Sequence, residues 1–145
     1  MNHEKIAVTG DKKAKKVVIK DFSMTGRERD ILQILWDSNT PMIASEFPKV
    51  RDDLTINTVQ AVLKKLLKRE FIQVAEIKYS GTVLSRSYVP TMTEEEFTVA
   101  SITKDIHDLK KFDITPGSFF VDFLSKNTLS KEDKSLLEEF MKNLK

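Results

Sequence analysis

Residues 55–90 decide the fold of this chain, and they read TINTVQAVLKKLLKREFIQVAEIKYSGTVLSRSYVP. In the first half, apolar residues recur at the spacing of one helix face, which predicts an amphipathic helix with that face buried. These residues are Val59, Val62, Leu63, Leu66 and Leu67. In the second half, the strand-like run Ile72–Tyr79 turns at Ser80-Gly81 and returns over Val83–Val89 as a β-hairpin. Strict alternation places Ile72, Val74 and Glu76 on one side of the first strand and Gln73, Ala75 and Ile77 on the other.

The helix face opposite the apolar residues is polar at first and then basic. It carries Asn57, Ala61, Lys64, Lys65 and Lys68, and Thr58 and Gln60 lie on its flanks. Over residues 55–70, four basic residues stand against Glu70 alone, a net charge of +3. Amide and hydroxyl groups can bind base edges and ammonium groups can bind phosphates, so this face suits DNA. For the helix by itself, a solvated lysine-rich face is the simpler interpretation, and the neighbouring elements are what favour DNA.

A helix is predicted upstream of this stretch. Thr25 and Glu28 have the spacing of a capping box, in which each side chain satisfies a backbone amide of the other residue. The helix is expected to run to about Asp37. Its buried residues are expected to be Ile31, Leu32, Leu35 and Trp36.

A second, short helix follows. Thr40-Pro41 would give it a good cap and first turn, and a start near Ile43 is the alternative. It is expected to end near Phe47, because Pro48 has no amide and disfavours helix in the residue before it.

The order of these elements is helix, short helix, basic helix and hairpin, which is the order of a winged helix-turn-helix. The predicted fold class is therefore mainly α with a small β wing, and residues 21–90 are predicted to be a winged-helix DNA-binding domain. Residues 1–20 are expected to form a basic N-terminal tail, in which Lys16–Lys20 is typical of a short strand that would extend the wing. Arg86 on the returning strand could reach a phosphate or the minor groove, and an exposed strand arginine is an equally good interpretation.

Residues 91–145 are predicted to be helical and to hold a homodimer together. A capping box of Thr93 and Glu96 starts the region, and Ser130 caps its last helix. Six of the nine phenylalanines lie after Pro90, and three short helices cannot bury so much apolar surface alone. The predicted dimerisation residues are Phe97, Ile102, Ile106, Leu109, Phe119, Phe120, Phe123, Leu137 and Phe140.

Composition supports this division and argues against other classes. Residues 1–90 carry 16 basic and 11 acidic residues, and residues 91–145 carry 8 and 11, as suits a DNA-binding part followed by one that avoids phosphates. The chain has no cysteine for thiol chemistry, and His107 beside Asp105 and Asp108 reads more simply as a solvated helix surface than as a catalytic or metal site. We expect a cytoplasmic protein that is not an enzyme, with no cofactor, no metal and no membrane insertion.

The residues that carry these predictions also resemble a family, the penicillinase repressors (BlaI/MecI) of bacteria, over about Asp21 to Lys142. The similar pieces are Met24-Thr25 with Glu28, Ile34-Leu35-Trp36-Asp37, Ala44-Ser45-Glu46-Phe47, Thr58-Val59, Leu63-Lys64-Lys65-Leu66, Lys68-Arg69-Glu70-Phe71-Ile72, Tyr88-Val89-Pro90 and Ser118-Phe119-Phe120-Val121-Asp122-Phe123. The helix and wing motifs are moderately specific together and weak one at a time.

The resemblance implies a homodimeric repressor on a pseudo-palindromic operator, released by proteolysis when a membrane sensor-protease detects a β-lactam. The scissile bond would be Asp122–Phe123, where β-lactam-responsive members have Asn before the Phe. Family members also have basic residues where this chain has Asn57 and Gln60, so the operator sequence need not be the usual one of the family. The copper-responsive branch uses C-terminal cysteines, which this chain lacks.

The predicted DNA-binding residues are Asn57, Thr58, Gln60, Ala61, Lys64, Lys65 and Arg86. The partners would be double-stranded operator DNA, a second copy of the chain and a membrane sensor-protease. The alternative hypothesis is a winged helix that serves as a protein-interaction module within a larger assembly.

Overall fold

A computed structural model describes residues 21–144, so the predicted basic tail and the strand at Lys16–Lys20 lie outside the described residues. The described residues form two compact units, the first ending at Ser101 and the second beginning at Ile102. The predicted domain boundary after residue 90 stays a prediction, and the contacts place residues 91–101 with the first unit.

The described elements follow the predicted order with one addition. They are α1 (Gly26–Ser38), β1 (Met42–Ile43), a 3-10 turn (Ala44–Glu46), α2 (Phe47–Val50), α3 (Ile56–Lys68), β2 (Ile72–Ser80), β3 (Val83–Pro90) and α4 (Glu94–His107). The mostly helical chain with its small antiparallel sheet confirms the predicted fold class. The capping box is also confirmed, because Thr25 donates its amide to Glu28 Oε1 at 2.9 Å and Glu28 donates its own to Thr25 Oγ1 at 3.1 Å.

For the short helix, the alternative start near Ile43 is confirmed, whereas the start at Thr40-Pro41 and the end near Phe47 were wrong. Met42 and Ile43 form β1 and pair with Tyr88 and Ser87 of β3, and Ile43 is at the same time the N-cap of the 3-10 turn that leads directly into α2. α2 begins at Phe47, where the prediction ended it, because Pro48 occupies the first helical turn. An amide in that turn has no partner within the helix, so proline loses nothing there.

The core of the first unit is built on the apolar face of α3. Val59, Val62, Leu63 and Leu66 are buried, as predicted. They belong to one cluster with residues of α1 and of the segments on either side of α3. The cluster also contains Ile31, Leu32, Ile34, Leu35, Met42, Phe47, Leu54, Phe71, Ile72 and Phe97.

The position of Phe97 disagrees with the prediction that it lies at a dimer interface. Its side chain is only 4% exposed, and its ring lies 5.4 Å from the rings of Phe22 and Trp36 and 5.6 Å from that of Phe71. Nearby, Trp36 donates its indole N–H to the carbonyl oxygen of Met92 at 2.9 Å. Phe97 therefore fills the core of the first unit and is not available to a partner.

The wing contains a β-bulge that strict alternation did not predict. The sheet has the order β1-β3-β2, and the register between β2 and β3 shifts between Val74 and Ile77. Opposite the shift, the fully buried Ser87 hydroxyl accepts from Glu76 N at 3.1 Å and donates to Glu76 O at 2.7 Å. The extra residue breaks the predicted two-sided pattern of β2, and Ser87 satisfies backbone groups that the bulge leaves without a ladder partner.

Replacing Ser87 by Ala should destabilise the first unit by about 1–3 kcal/mol, because two hydrogen bonds between the buried Ser87 hydroxyl and the backbone of Glu76 are lost. Urea unfolding followed by the fluorescence of Trp36, the only tryptophan, measures this change. Ser85→Ala on the same strand is the control and should cost much less, and equal shifts of the two midpoints would contradict the role given to Ser87.

The second unit has short elements with well-formed caps and no buried residue. Within residues 102–144 the structure has the end of α4, a 3-10 turn (Asp108–Phe112), α5 (Pro116–Ser125) and α6 (Lys131–Lys142). Thr115 caps α5, and Ser130 caps α6 through a capping box with Asp133, which confirms the predicted start of the last helix. Every residue between 102 and 144 is exposed or half-buried. Among the described helices, none is both long and apolar enough to cross a membrane.

Candidate nucleic-acid interface

The outer face of α3 presents most of the side chains predicted to bind DNA. Asn57, Gln60, Ala61, Lys64 and Lys65 are exposed. Thr58, also predicted, is half-buried, and its hydroxyl accepts a hydrogen bond from the hydroxyl of the N-cap Thr55 at 3.0 Å. The apolar face of the helix is buried, so these residues form the only side of α3 that a ligand could reach.

A groove of about 540 Å³ runs between α3 and the wing. It is lined on the helix side by Ile56, Gln60, Leu63, Lys64 and Leu67, and on the other side by Ala44, Ser45, Ser80, Ser85, Arg86 and Tyr88. The predicted DNA-binding residues Gln60, Lys64 and Arg86 are therefore brought to one groove. Asn57, Ala61 and Lys65 do not line it and lie on the outer face of the helix.

Three serines of this groove were missed by the sequence analysis. Ser45 in the 3-10 turn and Ser80 at the end of β2 have hydroxyl oxygens 3.2 Å apart, and Ser85 lies on β3. They come from segments up to 40 residues apart, and only the sheet pairing brings them together. No local pattern could have indicated them. Hydroxyl groups at the edge of a basic groove commonly bind phosphate oxygens.

The basic residues of the first unit fall into two sets. Lys64, Lys65, Lys68 and Arg86 make no ion pair with any described residue. Arg69, which was counted in the positive charge of the helix, is instead fully engaged. It lies 3.2 Å from the buried Glu28 carboxylate, donates to the carbonyls of Asp21 and Ser23 at 2.9 and 2.7 Å, and covers the ring of Phe71 at 4.8 Å.

An ion cluster of two arginines and two aspartates lies beside the beginning of α3. Arg51 binds both carboxylate oxygens of Asp53, at 3.1 and 2.7 Å, and its other nitrogen lies 3.0 Å from Asp30. Arg27 lies 3.1 Å from Asp53 and 3.4 Å from Asp30. The hydrogen bonds from Arg51 and then Arg27 lower the pKa of Asp53 from 3.8 to about 2, and those from Asp53 and Asp30 raise the pKa of Arg51. Asp53 and Arg51 are therefore both charged at neutral pH.

The remaining predicted dimerisation residues lie on the surface of the second unit. Ile102, Phe120, Phe123 and Phe140 are exposed, between 44% and 59%. The half-buried ones are Ile106, Leu109, Phe119 and Leu137. Within α5 the ring of Phe119 contacts those of Phe120 and Phe123 at 5.4 and 6.1 Å.

The predicted cleavage site, Asp122–Phe123, lies within α5 and both residues are exposed. Asp122 pairs with Lys126 one turn later at 3.1 Å. In the single chain the apolar side chains around this bond are not enclosed in a core, since Phe120 and Phe123 are 44% and 48% exposed.

The described residues around His107 are not arranged as a metal-binding site. Asp108 pairs with Lys104 at 2.6 Å, and this hydrogen bond lowers the pKa of the carboxyl. His107 is exposed beside this pair. Among the residues that the structure describes, no three or more His, Cys, Asp or Glu side chains are grouped so that they could hold a metal ion.

Residues 24–143 of the chain match the protein family described as penicillinase repressor. Two solved structures are similar to it. The adhesin competence repressor (AdcR) from Streptococcus pyogenes is 17% identical over 84% of this chain and 78% of that one, with a TM-score of 0.39. A variant of ZitR from Lactococcus lactis is 17% identical over 95% of this chain and 86% of that one, with a TM-score of 0.41. No curated protein sequence matches the chain.

Proposed function

The chain belongs to the penicillinase repressor family, and from this premise we propose that it is a cytoplasmic, sequence-specific transcriptional repressor that acts as a homodimer on a pseudo-palindromic operator. The proposal rests on one observation, which concerns the outer side of the first unit. There a polar and basic helix face and a wing enclose a groove whose cations, Lys64 and Arg86, are not paired within the described chain.

In the proposed complex, the N-terminal half of α3 lies in the major groove, where Asn57, Gln60 and Ala61 are nearest to base edges. One sugar-phosphate strand then passes between α3 and the wing, within reach of Lys64 and Arg86. The hydroxyls of Ser45, Ser80 and Ser85 give this groove neutral donors for phosphate oxygens. The Thr58 hydroxyl already accepts a hydrogen bond from the N-cap Thr55, so it would contribute less to DNA binding than its exposed neighbours.

A residue that contacts a base and a residue that contacts a phosphate should respond differently to substitution. Gln60→Ala should weaken binding to the preferred duplex by about 1–3 kcal/mol and relax selection at one base pair, because a side-chain amide can pair bidentately with adenine. Lys65→Ala should weaken binding to every duplex alike and make log K less steep in log salt, since one phosphate contact is lost. Fluorescence anisotropy on preferred and scrambled duplexes at several salt concentrations measures both effects, and identical behaviour of the two variants would contradict the assignment.

The proposed homodimer rests on the apolar surface of the second unit. Residues 102–144 have no buried side chain, while Phe112, Val121, Leu136 and Met141 are more than 60% exposed. A folded unit that leaves this much apolar surface in water is typical of an obligate two-fold interface. Pairing two chains would link two half-sites and raise operator affinity without any new base contact.

A fragment ending at Ser101 should fold as a monomer, because it keeps Phe97 and the whole first core. It should bind the preferred duplex roughly a hundredfold more weakly than the full chain, since the second half-site is no longer linked. In the full chain, Phe140→Asp should also favour the monomer, whereas the control Lys134→Ala on the same helix should not. Sedimentation of the fragment as a stable dimer would exclude this interface.

The family also supports a proposal for derepression. A membrane sensor-protease system that responds to a β-lactam would lead to cleavage of the Asp122–Phe123 bond, which would link the protein to antibiotic resistance. Cleavage removes α6 and the end of α5 from the proposed interface. The dimer population would fall, and with it the doubly bound operator complex.

When cells that carry such a sensor-protease are exposed to a β-lactam, the protein should be cut into fragments 1–122 and 123–145. Asp122→Asn, which restores the residue of the β-lactam-responsive members, should be cleaved at least as fast, and mass spectrometry of the fragments identifies the bond. A native chain that stays intact while the Asn variant is cut would show that Asp122 prevents cleavage and that another signal releases the repressor.

A second candidate function is a protein-interaction module, and the apolar wing favours it. Ile77, Tyr79 and Leu84 are more than half exposed, and exposed apolar patches of this kind are typical of protein-interaction surfaces. A gel shift with a duplex of operator size separates the two functions. Binding that weakens with salt supports the repressor, and no binding at low salt supports the interaction module.

A further inference from the structure

The ion cluster of Arg27, Asp30, Arg51 and Asp53 plays no part in the DNA contacts assigned above. Two of its members lie in the first two turns of α1, and the other two lie between α2 and α3. It therefore joins the start of one helix to the segment that leads into the DNA-binding helix. Two positive and two negative groups leave the cluster without net charge, so it is poorly suited to attract phosphates itself.

The first turn of α3 has few other attachments. Leu54 is 2% exposed and Val59 is fully buried, but the three residues of the first turn that follow the Thr55 cap, 56–58, are exposed or half-buried. Asp53 stands two residues before Thr55, the N-cap of this helix. The turn before it is closed by Leu54, which donates its amide to the carbonyl of Arg51 at 3.1 Å.

The geometry of the ion pairs in this cluster is better suited to fixing the relative position of α1 and α3 than to raising the free energy of unfolding. Exposed ion pairs add little to the free energy of unfolding, because water screens them. A guanidinium that binds both oxygens of one carboxylate nevertheless fixes the relative direction of the two groups. Arg51 does this with Asp53 and reaches Asp30 of α1 with its remaining nitrogen.

We propose that Asp53 is a positioning residue for operator recognition: through Arg51 and Arg27 it holds the N-terminal turn of α3 against α1. The proposal rests on the function proposed above. It predicts that loss of the Asp53 charge harms the discrimination between DNA sequences rather than the general affinity for DNA.

The substitution Asp53→Asn separates positioning from simple electrostatics, because the two predict opposite signs. Removing a negative charge near the DNA-binding face should by itself tighten binding to every duplex. If Asp53 positions α3, binding to the preferred duplex should instead weaken by roughly three- to thirtyfold, while binding to a scrambled duplex is unchanged or tighter. The probes are a duplex of about 30 base pairs selected by the native full-length protein from a random pool and a scrambled duplex of the same composition.

The chain offers a matched control in Asp52. This neighbouring carboxylate is exposed and has no ion pair or side-chain hydrogen bond with a described residue, so Asp52→Asn makes the same charge change outside the cluster. It should leave both affinities unchanged or slightly raised. Asp53→Glu keeps the carboxylate and should restore most of the preference for the selected duplex. The thermal midpoint of all three variants should stay close to that of the native protein.

A second measurement tests positioning without DNA. Thr58 donates its amide to the Thr55 hydroxyl, and Val59 donates its amide to the Thr55 carbonyl at 2.9 Å. Hydrogen exchange of these two amides should become faster in Asp53→Asn and stay native in Asp52→Asn, because the first turn opens more often when it is released. If Asp53→Asn matches Asp52→Asn on both duplexes and in exchange, the proposal is overturned. If the native protein selects no preferred duplex, the proposed function fails, and the exchange result alone decides whether Asp53 positions the helix.

Discussion

The first unit depends on the burial of one face of α3. Val59, Val62, Leu63 and Leu66 must leave water, and the cluster that covers them takes residues from α1, from Phe47 and Leu54 before the helix, and from Phe71 and Ile72 after it. Each fully buried side chain of this size is worth about 1.5–3 kcal/mol, so rotation of the helix about its axis would cost several times that amount. The same constraint directs Asn57, Gln60, Lys64 and Lys65 outward. The buried half of the helix thereby determines which half can meet a ligand.

The second unit, unlike the first, has no buried core among its described residues. Its helices are individually well capped, but within residues 102–144 no side chain is buried. Caps contribute about 1 kcal/mol each and cannot replace a core, so these helices need further apolar contacts to be stable. This need is the basis for proposing a second copy of the chain as the partner. It is also why Phe97 had to be separated from the dimerisation residues, since it already has its contacts in the first unit.

Features that rest on short-range rules were predictable from the sequence. The Thr25 and Glu28 capping box, the faces of α3 and the hairpin all follow from spacing within one element, and all are present. Features that need a distant partner were not predictable. β1 exists only because β3 lies beside it, and the bulge needs Ser87 across the hairpin. In the candidate site, the lysines of α3 could be identified from the sequence, but the groove serines and the engagement of Arg69 could not.

Three arginines of the first unit hold parts of the fold together, whereas Arg86 and the lysines of α3 make no ion pair with a described residue. Arg27, Arg51 and Arg69 use planar guanidinium groups for several fixed contacts each, with carboxylates or backbone carbonyls. Lysine is a compact charge on a long stem, so the lysines of α3 lose little by remaining free and can adjust to phosphates. An arginine committed to structure releases no counterions on DNA, so only the free cations contribute to the salt dependence, about 0.9 in the slope of log K for each phosphate contact. The partition of the basic residues thus separates the part of the charge that builds the fold from the part that is available for the proposed DNA contacts.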